Sequence, residues 1–233
     1  MNLRKLYLKL SERFRELNWW PMDVKYHKEN KSDPRFEVIV GAILTQNTAW
    51  SNVEKAINNL KNAKKLDIKS INRLDNEKLK DLIKSSGFFN QKAKRLKNIC
   101  QILEEKYNSD LDKFFRKKLK EIRKELLEIK GIGPETADSI ILYAANKPIF
   151  VVDAYTKRLC KRLPLETELF YDEIQNYFQK NLEKNFDEKE LTKIYNNLHA
   201  MIVMLAKNYC KKTPVCNNCP LKIECKYYKD KLT

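Results

Sequence analysis

Apolar residues recur every three or four positions along most of this chain, with charged residues between them. This spacing places apolar side chains on one face of an α-helix. The clearest examples are Leu6-Leu10-Phe14-Leu17, Phe36-Ile39-Val40-Ile43-Leu44, Val53-Ile57-Leu60 and Ile140-Ile141-Ala144. Further helices are predicted near residues 79–84, 91–105, 119–129, 153–163, 171–182 and 189–207. The pattern therefore predicts an all-α protein.

Turn-forming residues separate the predicted helices. They stand at Asp33-Pro34, Gly87, Asn108-Ser109, Lys147-Pro148 and Pro164. The apolar run Ile149–Val152 could form a strand, but no second run offers it a partner. We find neither an internal repeat nor a low-complexity linker, so the 233 residues suit one domain or two small ones.

The chain is strongly basic, with 47 Lys+Arg against 31 Asp+Glu and a formal net charge of +16. The basic residues are spread along the chain, which favours a folded face that binds a polyanion over a solvated lysine-rich surface. No apolar run approaches the roughly 20 residues that cross a bilayer, and the N-terminal segment lacks the apolar core of a signal peptide. We expect a cytoplasmic protein without a membrane partner.

A Gly-apolar-Gly turn, Gly131-Ile132-Gly133, lies between two amphipathic segments. Glycines let the backbone turn tightly and approach a ligand, and a following helix presents N–H groups and a positive dipole end. Such a turn can hold a phosphate without reading the base sequence. Asp153 stands downstream, directly before a predicted helix. Its carboxylate either caps that helix or takes part in chemistry on a bound strand.

Four of the six cysteines lie close together near the C-terminus, with the spacing C-x5-C-x2-C-x5-C: Cys210, Cys216, Cys219 and Cys225. Clustered cysteines in a reducing compartment indicate a metal site rather than disulfides. Tetrathiolate sites hold zinc or an iron–sulfur cluster. Structural zinc usually uses two close pairs, and here only one pair is close, so the spacing favours the cluster while zinc stays open. Cys100 and Cys160 lie on apolar faces and are interpreted as core residues.

Together, the Gly131–Gly133 turn, Val152-Asp153 and the four-cysteine loop resemble the endonuclease III superfamily of DNA glycosylases. The resemblance covers nearly the whole chain and implies two helical domains, residues 24–140 and residues 1–23 with 141–233. It implies a monomer in the nucleoid that holds double-stranded DNA and flips a damaged base into the cleft between the domains. It also implies a [4Fe–4S] cluster on the cysteine loop 210–225, although the first cysteine spacing is one residue shorter than the family's usual one. Asp153 would then stabilise the cationic sugar and activate water.

The hairpin departs from one feature of this family. Members that also cleave the strand carry a lysine two residues after the second glycine, and its amine forms a Schiff base with the sugar. This chain has Glu135 at that position, and a carboxylate cannot form an imine. We therefore expect a monofunctional glycosylase that uses water. Two alternatives stay open, namely a bifunctional glycosylase/lyase that uses another amine and a DNA-binding relative that is not an enzyme.

Two further segments resemble the DNA-contacting loops of the family. Gln46, in Thr45-Gln46-Asn47-Thr48, would fill the gap that the flipped base leaves, and Phe88, after Gly87, would press into the duplex. The resemblance assigns phosphate contacts to Gly131, Gly133 and Thr136. Gln46 as a turn residue and Phe88 as a core aromatic are the simpler interpretations.

Trp20-Pro21 and Trp50 make the chain most similar to the 3-methyladenine DNA glycosylase III subfamily. In that subfamily aromatic residues at these places stack on an alkylated purine. Methylation leaves adenine cationic, and electron-rich rings attract cations. The resemblance therefore implies a base pocket formed by Trp20, Pro21 and Trp50, against the alternative that both tryptophans serve packing alone. That subfamily lacks the cysteine loop of this chain.

Overall fold

A computed structural model describes residues 1–15, 17, 19–165, 167 and 170–231 of the chain. All regular secondary structure in these residues is helical, which confirms the all-α prediction. The helices are α1 Leu3–Phe14, α2 Val24–Glu29, α3 Arg35–Leu44, α4 Trp50–Asn62, α5 Ile68–Arg73, α6 Asn76–Ile83, α7 Phe89–Tyr107, α8 Leu111–Phe115, α9 Leu119–Glu128, α10 Pro134–Ser139, α11 Ala154–Arg162, α12 Tyr171–Glu183, α13 Glu188–Asn208 and α14 Lys226–Lys229. A 3₁₀ turn, Lys84–Ser86, precedes α7, and a π-helical turn, Ile140–Ala144, continues α10.

The chain folds into two compact units. One unit is Trp20–Asn146, and the other consists of Met1–Trp19 together with Lys147–Thr233. The boundaries implied by the resemblance lie at residues 23/24 and 140/141. The second of these falls inside a continuous helical segment, because α10 runs directly into the π-helical turn that packs on α3.

Helix α3 is the core of the unit 20–146. Its residues are buried without a break from Phe36 to Leu44, and all of them are apolar except Glu37, which pairs with His27 and Lys61. Helices α4 and α7 and the π-helical turn pack against it. The loop after Leu44 therefore starts from a rigidly held helix end.

Helix α13 is the longest helix of the second unit, and α1, α11 and α12 pack on it. The run Ile149–Val152 is buried but is not a strand. Side-chain amides of α12 bond its backbone instead. The Phe150 N–H donates to Gln179 Oε1 at 3.0 Å, and the Phe150 carbonyl accepts from Gln175 Nε2 at 2.7 Å. This anchored segment leads directly into Asp153.

None of the described helices is both long enough and apolar enough to cross a membrane.

Candidate functional site

The glycine hairpin (residues 129–133) connects α9 to α10. Gly131 has a φ of 96°, and a Cβ atom on it would lie 2.6 Å from Cγ of Arg95, so glycine is required there. Gly133 has an extended backbone, and no atom of the described residues beyond its chain neighbours lies within 4 Å of a Cβ placed there. Pro134 occupies the first helical position, where its missing N–H costs little. The hairpin is thus packed at Gly131 and open to a ligand at Gly133.

The Gln46 loop (residues 45–49) contacts this hairpin through the Gln46 side chain. Gln46 Nε2 donates to Thr136 Oγ1 at 2.8 Å and to the Gly131 carbonyl at 3.3 Å. Gln46 Oε1 accepts a hydrogen bond from Arg95 Nη1. Three of the predicted DNA-contacting residues, Gln46, Gly131 and Thr136, therefore form one hydrogen-bonded group with Arg95.

The Phe88 turn (residues 84–88) presents an aromatic ring to solvent. The Phe88 side chain is 64% exposed, although large aromatic residues are usually buried. Its backbone is left-handed, with a φ of 47°, and it follows Gly87, whose φ is 67°. A non-glycine residue in this region is strained and often functional. The structure thus places Phe88 on the surface rather than in the core.

An aromatic cluster forms around Trp20. Its ring lies 5.2 Å from that of Trp50 at 84°, and 5.5 Å from that of Tyr143 at 55°. A Cβ on Gly41 would lie 2.8 Å from Nε1 of Trp20, so only glycine leaves room for this indole. Trp20 and Trp50 are half-buried, whereas Pro21 is exposed. The edge-to-face arrangement is a favourable one for aromatic pairs.

Asp153 caps α11. Its Oδ1 accepts hydrogen bonds from the Thr156 N–H at 2.7 Å and from Thr156 Oγ1 at 2.9 Å, and its Oδ2 lies 3.6 Å from Nε2 of His199. The side chain is 13% exposed. Burial alone would raise its pKa, but interactions with His199 and the Thr156 donors outweigh burial, so the pKa of Asp153 lies below its ordinary value. The carboxylate therefore stays charged at neutral pH.

The four cysteines of the C-terminal loop line one cavity. Burial and then the neighbouring Cys210, Cys216 and Cys225 raise the pKa of Cys219 to about 11. Arg162 supports the loop, since its Nη1 donates to Cys210 Sγ at 3.1 Å and its guanidinium also bonds two loop carbonyls. Within the described ranges, no three His, Cys, Asp or Glu side chains converge closely enough to hold a single metal ion.

The predicted site residues divide between the two units. The unit 20–146 carries the predicted DNA contacts and base pocket, and the other unit carries Asp153 and the cysteines. The sequence patterns did not identify Arg95, which bonds Gln46, or Tyr143, which packs against Trp20 and lies in the apolar run 140–144.

Residues 40–184 match the family described as HhH-GPD superfamily base excision DNA repair protein. A candidate DNA repair glycosylase from Methanocaldococcus jannaschii is 46% identical over 223 residues, which are 95% of this chain and 94% of that protein.

Two solved structures are also similar. The H. pylori 3-methyladenine DNA glycosylase bound to 1,N6-ethenoadenine is 30% identical, with a TM-score of 0.71 over 89% of this chain and 98% of its own. A trapped endonuclease III–DNA covalent intermediate has a TM-score of 0.76 over 99% of this chain and 97% of its own. The identity to that second protein is 22%, so this likeness concerns the fold alone.

Proposed function

The chain belongs to the HhH-GPD superfamily of base excision DNA repair proteins, and we propose that it is a monofunctional DNA glycosylase that hydrolyses the N-glycosidic bond of an alkylated purine. Family membership confirms the resemblance that the motifs indicated. The observation that carries the finer proposal is a pair of residues. Asp153 is present as a charged carboxylate, while Glu135 stands where strand-cleaving relatives need an amine.

The chemistry proposed for Asp153 is electrostatic and general-base catalysis. As the glycosidic bond lengthens, the sugar becomes an oxocarbenium-like cation, and a nearby carboxylate stabilises it. Thr156 donates two hydrogen bonds to Oδ1, whereas Oδ2 faces Nε2 of His199 at 3.6 Å, and Oδ2 is the oxygen proposed to accept the proton of the attacking water. An alkylated purine that is already cationic leaves without prior protonation, so one carboxylate suffices.

The aromatic cluster supports the choice of base. Trp20 and Trp50 offer partly exposed aromatic surface, and aromatic faces attract a cationic base more strongly than a neutral one. Flipping the base costs a few kcal/mol, and least for a damaged base. The 30% identity to a 3-methyladenine DNA glycosylase supports the same substrate class.

A panel of lesion-bearing duplexes tests the substrate. We expect release of 3-methyladenine and related alkylated purines, measured as free base by liquid chromatography. Undamaged duplex of the same sequence is the control. Release of oxidised pyrimidines alone, with no alkylated purine, would favour the endonuclease III-type alternative.

The glycine hairpin is proposed to hold a DNA phosphate, while Gln46 and Phe88 fill the gap left by the flipped base. Gly133→Val is expected to weaken binding to all duplex sequences alike, because a side chain there blocks approach to the backbone. The extended backbone and open surroundings of Gly133 accept valine, so the fold should persist.

Fluorescence anisotropy at several salt concentrations measures this effect. Wild-type affinity should fall with salt with a slope of about −0.9 per phosphate contact, and the variant should show a smaller slope. Unchanged affinity for Gly133→Val would remove the hairpin from the DNA interface.

The cysteine loop is proposed to hold a [4Fe–4S] cluster. The support for this proposal is that Cys210, Cys216, Cys219 and Cys225 line one cavity, since a cubane takes four thiolates, one on each of its irons. When bound, the cluster would supply covalent links among Cys210, Cys216, Cys219 and Cys225. Those links would order a loop that carries Lys211, Lys212 and Lys222 and follows Lys207 at the end of α13, and these basic residues are proposed to lie near DNA.

Metal analysis of anaerobically purified protein tests this proposal. We expect a yellow-brown protein with a broad sulfide-to-iron absorption band and with iron and acid-labile sulfide in equal amounts. Cys219→Ser should weaken folding and DNA binding together, whereas Cys100→Ser, away from the loop, should leave the iron content unchanged. Stoichiometric zinc without iron would contradict the cluster.

A further inference from the structure

Lys92 is a lysine in the apolar core of the unit 20–146. It stands on the buried face of α7 with Ala93, Leu96 and Ile99, and its side chain is 0% exposed. Its Nζ donates to the carbonyl of Leu44 at 2.8 Å and to the carbonyl of Ser86 at 2.6 Å. Burial and the neighbouring Arg95 lower its pKa to about 8. A buried ammonium is costly unless it is well paired, so its place calls for an explanation.

The two carbonyls belong to the segments that begin the proposed gap-filling elements. Leu44 is the last residue of α3, directly before the Gln46 loop. Ser86 is the last residue of the 3₁₀ turn, directly before Gly87 and Phe88. Carbonyls at the C-terminal end of a helix lack a hydrogen-bond partner within that helix. The ammonium group of Lys92 donates a hydrogen bond to both of these carbonyls. Lys92 therefore joins two loops that are more than forty positions apart in sequence.

Two further polar side chains of α7 contact the Gln46 loop and the glycine hairpin. Arg95, one turn after Lys92, bonds Gln46 and packs against Gly131. Asn98, one turn further, donates through Nδ2 to the Lys130 carbonyl of the glycine hairpin at 3.4 Å. One helix thus contacts the Gln46 loop, the Phe88 turn and the glycine hairpin.

We infer that Lys92 is a positioning residue that sets the spacing between the Gln46 loop and the Phe88 turn, so that both can enter one gap in the DNA together. The inference rests on the proposed function, in which these two segments fill the space of the flipped base. Segments held at the correct spacing before binding lose less entropy when they insert. Contacts with an intact duplex, made through phosphates, do not need this spacing.

Lys97 provides a matched control on the same helix. Its Nζ also joins two backbone carbonyls, donating to Asn72 at 2.8 Å and to Leu74. Those carbonyls belong to α5 and the residue after it, and neither lies in a segment proposed to enter the DNA. Loss of the Lys97 head group therefore removes the same kind of bond without changing the loop spacing.

The test compares Lys92→Met and Lys97→Met for binding to two duplexes, one undamaged and one with a tetrahydrofuran abasic site. We expect the wild-type protein to prefer the abasic duplex. Lys92→Met should lower that preference by about tenfold, because loops without a fixed spacing lose more entropy when they insert, while affinity for undamaged duplex stays the same. Lys97→Met should keep the wild-type preference, although both variants lower the melting temperature.

The outcomes distinguish failure of the inference about Lys92 from failure of the proposed function. If Lys92→Met melts lower but keeps the wild-type preference, Lys92 is only structural and the inference is overturned. If the wild-type protein itself has no preference for the abasic duplex, the proposed gap filling fails and the inference fails with it. Should Lys92→Met not fold, Lys92→Gln decides the question, because its shorter amide reaches at most one of the two carbonyls. Retained preference in Lys92→Gln overturns the inference, and lost preference supports it.

Discussion

Asp153→Asn is expected to lower base release by about 10²–10³-fold or more, the loss seen when one preorganised electrostatic group is removed from an active site. The substitution removes the charge that would stabilise the sugar cation. Asparagine has the same shape and is a favourable N-cap residue, so it can still accept the Thr156 N–H bond that begins α11. Single-turnover release from a duplex with an alkylated adenine measures the effect.

Binding to an abasic-site duplex is the control for this variant, and we expect it to change little. Wild-type release rates in Asp153→Asn would exclude Asp153 as the catalytic carboxylate. No release from any lesion, by wild type or variant, would favour the DNA-binding relative that is not an enzyme.

The pH dependence of release follows from the same carboxylate. A group whose pKa is lowered on folding stays charged until the pH falls below its ordinary range, about 3.9 for aspartate. Its contribution to stability is present above that value and is lost as the pH falls through the lower folded pKa. The interaction with His199 lowers the pKa of Asp153, whereas burial raises it. His199→Leu removes that interaction, so the pKa of Asp153 should rise. We therefore expect the acidic limb of the pH–rate profile to move to higher pH.

Base release by the wild-type protein is expected to leave an intact abasic strand. Strand cleavage by β-elimination needs an amine that forms a Schiff base, and Glu135 cannot supply one. Denaturing gels should show a nick only after treatment with alkali or heat. Borohydride should trap no covalent protein–DNA adduct.

Variants at Glu135 refine this prediction. Glu135 is exposed in the first turn of α10, where acidic residues are favourable, so its replacement should not disturb the fold. Glu135→Gln is expected to keep most of the release activity. Glu135→Lys is expected to produce some borohydride-trapped adduct, because it restores an amine at the position where strand-cleaving relatives carry one. Nicking and trapping by the wild-type protein at neutral pH would show that another amine acts, and the monofunctional proposal would then be wrong.

Local patterns in the sequence were sufficient for the long helices and for the shape of the main turns, but they did not predict the short helices α2, α5, α8 and α14, which are too short to show a clear period. The predicted helices 91–105 and 189–207 correspond to α7, Phe89–Tyr107, and α13, Glu188–Asn208. Helical periodicity depends on neighbours three or four positions away, so it is readable along the chain. The left-handed backbone of Gly131 and the cap formed by Asp153 are local in the same sense.

Tertiary structure decided which side chains meet. Gln46 contacts Arg95, 49 positions away, and Thr136, 90 positions away, and no local propensity specifies either partner. The run Ile149–Val152 is not a strand, and side chains of α12 instead bond the N–H and carbonyl of Phe150 within it. Lys92 has a head group that could have extended into solvent, and it is buried only because packing brings the carbonyls of Leu44 and Ser86 to the same point. The sequence by itself determined the long helices and the residue types available for chemistry, whereas packing between distant segments determined how those residues are held.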